Sequence, residues 1–144
     1  MNKIDTTYLI RCISTLEKSY SLLQKANPDE IDYDMYRSAS VKEFEIILEQ
    51  CGKLLRKCLK PYYHSSQAVD KLFFKEVFKQ AVLRSIITLE LCERFLEYRD
   101  NRNNTAHGYG VTFAEETLLL LPNFIKDSKL IVESINKQND AIKE

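Results

Sequence analysis

Between Tyr33 and Leu59, apolar side chains recur every three or four residues. The members of this series are Val41, Phe44, Ile47, Leu48, Cys51, Leu54, Leu55, Cys58 and Leu59. This spacing puts them on one side of an α-helix, because a half-buried strand would instead alternate every second residue. Such a helix spans about 40 Å, and its apolar side has to be buried against other helices. The segment therefore predicts an all-α protein.

The same spacing predicts the remaining helices. Helix one is expected from about Asp5 to Lys25, and residues 61–67 are expected to form a loop before helix three. Thr88 is the expected N-cap of a fourth helix. The final helix is expected from near Phe113 to near Lys137, with residues 138–144 frayed. We predict that residues 1–144 form a single domain, an up-and-down bundle of four or five helices.

Composition limits the classes of function that the chain can have. The 21 basic residues balance the 21 acidic residues, which argues against a protein that coats nucleic acid through bulk charge but leaves room for a small local RNA site. The N-terminus is polar and no apolar run approaches the length of a membrane span, so we expect a cytoplasmic protein without a membrane partner.

Four cysteines occur, at positions 12, 51, 58 and 92. None of them forms a C-x-x-C pair, so the spacing predicts no zinc site. Each falls on the apolar side of an expected helix. We therefore predict four reduced cysteines in the core.

The most polar stretch joins the last two long helices. It contains Arg102, Asn103, His107 and Tyr109 in the order R-N-x-x-x-H-x-Y. Histidine suits the proton transfers of metal-free RNA cleavage because its pKa lies near neutrality. The planar fork of arginine suits a phosphate, to which an asparagine amide can also donate. The competing interpretation is that Arg102 and His107 are solvated residues at a helix end.

Three segments carry a resemblance to a known family. The polar stretch resembles the R-x4-6-H motif of HEPN domains, in the R-x4-H-x-Y form. Residues 36–55 resemble the pattern R-x5-[QE]-F-E-x-x-x-E-x-x-x-K-x-[LM], and residues 75–81 resemble K-E-V-F-R-E-A. Together they resemble toxins of the HEPN/minimal nucleotidyltransferase toxin–antitoxin modules, formerly described as nucleotidyltransferase substrate-binding proteins. The match covers residues 36–109 in order.

The resemblance implies a HEPN-like bundle that forms a homodimer, with two motifs facing one cleft. It implies a type VII-like toxin that cleaves RNA without a metal or another cofactor, using Arg102, Asn103 and His107. It also implies a cognate minimal nucleotidyltransferase as antitoxin, which adds AMP to Tyr109. The alternative is a non-catalytic HEPN module that binds nucleotide or the nucleotidyltransferase, and a purely structural adaptor is a third candidate.

Supporting roles are expected for residues near the motif. Arg99 lies beside it, and Asp100 either orients Arg102 or His107 or solvates the helix end. The resemblance suggests that Arg37 and Glu43 point inward near the motif, while a structural ion pair is the equal alternative. The chain departs from the family at Gly52-Lys53, where an aromatic residue usually precedes the lysine, and at Ala106-His107-Gly108-Tyr109, where relatives carry Ser-His-Thr-Tyr.

Two further features are assigned no function. His64 follows Pro61, Tyr62 and Tyr63 and is expected to be an exposed loop residue. The phenylalanines at positions 73, 74 and 78 are expected in the core, with an RNA stacking platform as the alternative.

Overall fold

The computed structural model describes residues 3–105 and 111–142. Within these ranges the chain is helical, with short connections and no strand. The helices are α1 (Thr7–Lys25), α2 (Ile31–Leu59), α3 (Ser66–Asp70), α4 (Phe74–Leu83), α5 (Leu89–Thr105) and α6 (Val111–Asp140), with a 3-10 turn at Lys60–Tyr62. The predicted all-α bundle is thus confirmed, with six α-helices in the described part of the chain. None of these helices is both long and apolar enough to cross a membrane.

The helix boundaries agree with the expectations at some positions and differ at others. Residues 61–67 are not all loop, because α3 begins at Ser66 and the Ser65 hydroxyl accepts a hydrogen bond from the Ala68 amide at 3.2 Å. The predicted cap at Thr88 is confirmed, since its hydroxyl accepts from the Leu91 amide at 3.1 Å. The final helix begins at Val111, earlier than predicted.

The predicted fraying of residues 138–144 is wrong for residues 138–140, which are helical. The Asn139 side chain accepts a hydrogen bond from the Ile4 amide at 2.7 Å and donates one to the Ile4 carbonyl at 2.8 Å. This pair of bonds joins the start of the chain to the end of α6. The extra contact offsets the entropy that a terminal turn loses when it is ordered.

The directions of α2, α5 and α6 bring three helix ends together. Two contacts show that α2 and α6 run parallel, and two others show that α5 runs antiparallel to α6. The contacts are Arg37–Glu115 and Phe44–Phe124 for α2 and α6, and Asn101–Thr117 and Arg94–Asp127 for α5 and α6. The C-terminus of α5 therefore lies at the same end of the bundle as the N-termini of α2 and α6. We call this the motif end.

The core contains four fully buried phenylalanines packed with one buried tyrosine, namely Phe44, Phe78, Phe95, Phe124 and Tyr98. The rings of Phe78 and Phe95 stack at 5.1 Å between centroids. All four cysteines are free and buried, as predicted. Burial raises the pKa of the Cys58 thiol to about 12, and it also raises the pKa of Cys51. Both are thus protonated at neutral pH and are poor nucleophiles.

A carboxylate is buried where α5 crosses α6. Asp127 on α6 accepts a hydrogen bond from the Tyr98 hydroxyl at 2.5 Å and another from Arg94 Nε at 2.9 Å. Tyr98 is itself buried, so its hydroxyl depends on this acceptor. Burial, followed by the bond to Asp127, raises the pKa of Tyr98. The network fixes how α5 lies on α6.

We expect Asp127→Ala to lower the free energy of unfolding by roughly 1–3 kcal/mol, the cost of leaving a buried hydroxyl without an acceptor. Urea unfolding followed by circular dichroism measures the change. Asp140→Ala removes an exposed carboxylate at the end of α6 and is the control, expected within about 0.5 kcal/mol of the parent. Equal stability of Asp127→Ala and parent would show that the network contributes nothing.

Candidate active site at the motif end

Arg102 lies on the last turns of α5, at the motif end of the bundle. Its Nη2 is 3.8 Å from Glu45 Oε2 on α2. This is an ion pair, although it is longer than a hydrogen bond. Both side chains are about one-third exposed (35% and 33%). Glu45 therefore orients a guanidinium that solvent and a ligand can still reach.

A second ion pair lies one helical turn away. Arg99 Nη1 donates to Glu49 Oε1, and the Arg99 guanidinium lies over the Phe74 ring at 4.8 Å from its centroid. Glu45 and Glu49 are four residues apart on α2, and Arg99 and Arg102 are three apart on α5, so each pair shares one helix face. The two ion pairs form a ladder between antiparallel helices, which we call the Glu–Arg ladder.

Gly52 makes room for this arrangement. It is buried in α2, and a Cβ built there would lie 3.0 Å from Cδ2 of the Phe74 ring. Phe74 also packs on Phe78, with 4.5 Å between ring centroids. Glycine at position 52 thus lets the Phe74 ring lie against α2 and beneath Arg99, and a larger side chain there would require this ring to move.

Arg37 joins the starts of α2 and α6. Its Nη1 donates to Glu115 Oε1 at 3.1 Å and its Nη2 to Asp34 Oδ1 at 3.3 Å. The Tyr33 hydroxyl donates to the same Glu115 carboxylate at 2.8 Å, and this bond raises the pKa of Tyr33. Arg37 is only 16% exposed. Of the two alternatives for Arg37, the structure supports the ion pair, which joins α2 to α6 near the start of α6.

The residues next to Arg102 on α5 lie in different environments. Asn101 on α5 donates to the buried Thr117 hydroxyl at 3.2 Å, which holds the end of α5 against α6. Asn103 is exposed on the same helix. Asp100 is also exposed, and it lies two residues from Arg102, a spacing that puts two side chains on different helix faces. The spacing does not favour contact with Arg102, and the two other roles expected for Asp100, orienting His107 and solvating the helix end, remain predictions.

His107 and Tyr109 lie outside the described residues, between the end of α5 and the start of α6. His107 follows Thr105, the last described residue of α5, by two positions. The ends that flank this segment are held by the Glu–Arg ladder, by Asn101–Thr117 and by Arg37–Glu115. The roles predicted for His107 and Tyr109 remain predictions.

Residues 11–137 match the profile of a family described as nucleotidyltransferase substrate binding protein like. The chain belongs to this family. The identification based on residues 36–109 is thereby confirmed.

Relatives of known name or structure extend the comparison. The chain is 20% identical over 142 residues to a Haemophilus influenzae protein named probable ribonuclease HepT, and the match covers 96% of each chain. It is also similar to H. influenzae HI0074, whose structure is described as the fold of a substrate binding domain of a nucleotidyltransferase, with a TM-score of 0.76, 19% identity and coverage of 92% of this chain and 99% of that one. A structure from Thermus thermophilus gives a TM-score of 0.68, 20% identity and coverage of 88% and 98%. At these identities the structural likeness establishes the fold.

Sequence reasoning missed the acidic half of the Glu–Arg ladder. Glu45 and Glu49 lie within the family pattern at residues 36–55, yet no role was predicted for them. Glu45 and Glu49 are four residues apart, and Arg99 and Arg102 are three apart. Each spacing is about one helical turn, so each pair lies on one helix face. This was the signal in the sequence that could have predicted the two ion pairs. Glu115 was missed as well, because in the sequence it is a favourable charge in the first turn of the expected final helix.

Among the side chains that the structure describes, no group of three or more potential metal ligands occurs.

Glu43 is not part of the site. It faces α1, where the Cys12 thiol lies beside its carboxyl. Its Oε2 is buried without a hydrogen-bond partner in the described part of the protein. Burial raises the pKa of Glu43, and the neighbouring Cys12 thiol only partly offsets this effect. The suggestion that Glu43 points inward near the motif is therefore wrong, because its position on α2 turns it toward α1.

The raised pKa of Glu43 predicts that the free energy of unfolding depends on pH. A carboxyl whose folded pKa is raised contributes stability below its unfolded pKa of about 4.3, and the contribution is lost as the pH rises through the folded pKa. We expect Glu43→Gln to unfold at a higher urea concentration than the parent at neutral pH, with the difference shrinking toward about pH 4. The control is Glu97→Gln, an exposed position on α5. A Glu43→Gln effect that is independent of pH would contradict this explanation.

Proposed function

We propose that this chain is the metal-independent endoribonuclease of a toxin–antitoxin pair. The observation that carries the proposal is the position of Arg102. It lies at the end of α5, oriented by Glu45 across the Glu–Arg ladder, and the sequence continues directly into Asn103 and His107. The name of the H. influenzae relative, probable ribonuclease HepT, supports the same activity. We place the reaction in the cytoplasm.

In the proposed reaction, a ribose 2′-hydroxyl loses its proton to a base, and its oxygen attacks the adjacent phosphorus. The 5′-oxygen leaves with a proton, and the products are a 2′,3′-cyclic phosphate and a 5′-hydroxyl. His107 transfers protons, for which a pKa near neutrality suits it. Arg102 and Asn103 donate hydrogen bonds to the phosphate oxygens as charge develops in the transition state.

A homodimer gives the reaction both an acid and a base. One histidine per motif does not readily remove one proton and donate another within a single turnover. If two chains join at their motif ends, one His107 acts as base and the other as acid, while two Arg102 side chains hold one phosphate.

The proposed antitoxin is a nucleotidyltransferase. The family description and the H. influenzae HI0074 structure both connect proteins of this kind with such an enzyme. In the proposed modification the Tyr109 hydroxyl loses its proton and attacks the α-phosphate of ATP, which releases pyrophosphate and leaves AMP on the tyrosine. The new phosphate and adenine would lie close to Arg102 in sequence, where they would compete with RNA for its guanidinium.

The test is cleavage of a labelled single-stranded RNA by the purified protein in excess EDTA. We expect products that end in 2′,3′-cyclic phosphate, and we expect expression of the chain to arrest growth. Uncut RNA together with normal growth would favour the alternative, a non-catalytic module that binds nucleotide or the nucleotidyltransferase.

The modification is tested by intact mass after incubation with the nucleotidyltransferase and ATP. We expect the mass to rise in steps of one AMP and RNA cleavage to fall in parallel. Tyr62→Phe, a change of an exposed tyrosine at the 3-10 turn, is the control and should be modified like the parent. If Tyr109→Phe still gains these steps, Tyr109 is not the modified residue.

A further inference from the structure

A groove lies beside the Glu–Arg ladder, between α2 and the start of α4. Its volume is about 330 Å³. Its charged lining consists of three basic side chains, Lys53, Arg56 and Arg99, and one acidic side chain, Glu49. In a chain with no net charge, this is a local excess of positive charge, which favours an anionic ligand.

The groove is continuous with the candidate active site. Arg99 belongs to the groove and also to the Glu–Arg ladder. Arg102 lies three residues further along α5, a rise of about 4.5 Å. A strand whose phosphate lies at Arg102 can therefore continue along α2 into the groove without leaving the surface of the protein.

Phe73 provides an aromatic surface in this groove. Its side chain is 77% exposed, whereas the neighbouring Phe74 ring is partly buried against Phe78. The Phe73 backbone is fixed, because its amide donates to the Glu76 carboxylate at 3.1 Å at the start of α4. The expectation that all three phenylalanines lie in the core is thus wrong for Phe73. An exposed ring on a fixed backbone is a surface on which a nucleic-acid base stacks.

Two basic side chains lie one helical turn apart on α2. Lys53 is exposed, and no side chain in residues 3–103 or 111–142 forms an ion pair with it. Arg56 Nη1 donates to the Val69 carbonyl at 2.7 Å, which fixes the guanidinium while its other N–H groups remain as donors. Positions 53 and 56 share one helix face, so both side chains can contact the same phosphate.

We propose that this groove binds a nucleotide of single-stranded RNA that flanks the cleaved phosphate, with its base on Phe73 and its phosphate held by Lys53 and Arg56. The inference rests on the proposed function, and it adds how the substrate strand is held beyond the reacting phosphate. The three basic side chains favour RNA over a second copy of this chain, whose net charge is zero.

The first experiment uses tryptophan fluorescence, because the chain contains no tryptophan. Phe73→Trp places a single reporter in the groove, and Leu83→Trp places one at another exposed position, at the end of α4. Both are made in a His107→Ala background so that RNA stays intact. We expect a single-stranded oligonucleotide to quench the Phe73→Trp emission saturably and to leave the Leu83→Trp emission unchanged. Equal behaviour of the two reporters would overturn the proposal.

The second experiment measures RNA affinity in the same background by fluorescence anisotropy. Phe73→Ala should weaken binding roughly tenfold, as expected for the loss of one stacked base. Lys53→Ala should weaken binding and reduce the salt dependence by about one phosphate contact. Leu83→Ala and Lys137→Ala, at exposed sites outside the groove, are the controls and should bind like the parent.

Assays of RNA cleavage distinguish a failure of the groove proposal from a failure of the proposed function. In the active chain, Phe73→Ala should raise KM for long RNA with little change in kcat. If the chain cuts RNA and Phe73→Ala changes neither KM nor affinity, the groove proposal fails and the nuclease stands. A change in the sedimentation of Phe73→Ala would identify this face as a contact between copies and would also overturn the proposal. If wild type leaves RNA uncut and His107→Ala does not bind it, both fail.

Discussion

Replacing His107 with alanine is expected to lower the rate constant of RNA cleavage by about a hundredfold or more, because a positioned general acid or base contributes roughly 10²–10⁴-fold. Expression of the variant should no longer arrest growth. The loss should appear in kcat rather than in KM, since proton transfer takes place in the transition state and not in the bound ground state. RNA cleavage under single-turnover conditions measures it directly.

The other histidine of the chain provides the matched control. His64 is exposed in the connection between α2 and α3, as expected from the sequence. His64→Ala should cleave RNA and arrest growth like the parent. If His107→Ala also keeps parental cleavage, the catalytic assignment of His107 is wrong, whatever the fate of the other motif residues.

Replacing Arg102 with alanine is expected to cost about 10²–10³-fold in kcat, the range found when a donor to a developing negative charge is removed. Arg102→Lys should recover only part of this loss, because lysine keeps the charge but not the planar fork that donates to two phosphate oxygens. Glu45→Gln should give a smaller decrease, because it removes the ion pair that orients Arg102 (3.8 Å) and leaves the guanidinium in place.

The control for Arg102 is Arg84→Ala. Arg84 follows α4, and its guanidinium lies over the Tyr62 ring at 4.7 Å, so it is an exposed arginine with an aromatic contact outside the motif end. We expect Arg84→Ala to keep parental cleavage. An Arg102→Ala chain whose kcat is unchanged while KM rises would show that Arg102 binds RNA without stabilising the transition state.

Features that depend on residues close together in the sequence were predictable from it. The apolar spacing predicted the helices, the position of Thr88 predicted the start of α5, and the side of each helix on which the cysteines fall predicted their burial. These features depend on the helical period and on residues within one turn, where the backbone geometry is already fixed. The family could also be identified, because its motifs are continuous segments.

Features that depend on two helices far apart in the sequence were not predictable from it. Arg37 was left between a site role and an ion pair, and the structure pairs it with Glu115 and Asp34. Asp127 was given no role, yet it is the buried acceptor of the Tyr98 hydroxyl. A charged side chain can reach several partners over its length, and the sequence alone does not say which helix lies opposite it.

By itself, the sequence determined an all-α chain, its long helices, its family and the motif that contains Arg102, His107 and Tyr109. The tertiary structure decided which charges meet Arg99 and Arg102, which of two adjacent phenylalanines is exposed, and that a basic groove continues from the motif end. The physical reason is that core packing, with the rings of Phe44, Phe95 and Phe124 in contact, fixes the rotation and register of each helix. Only when these are fixed do Glu45 and Glu49 face α5, and the Glu–Arg ladder forms.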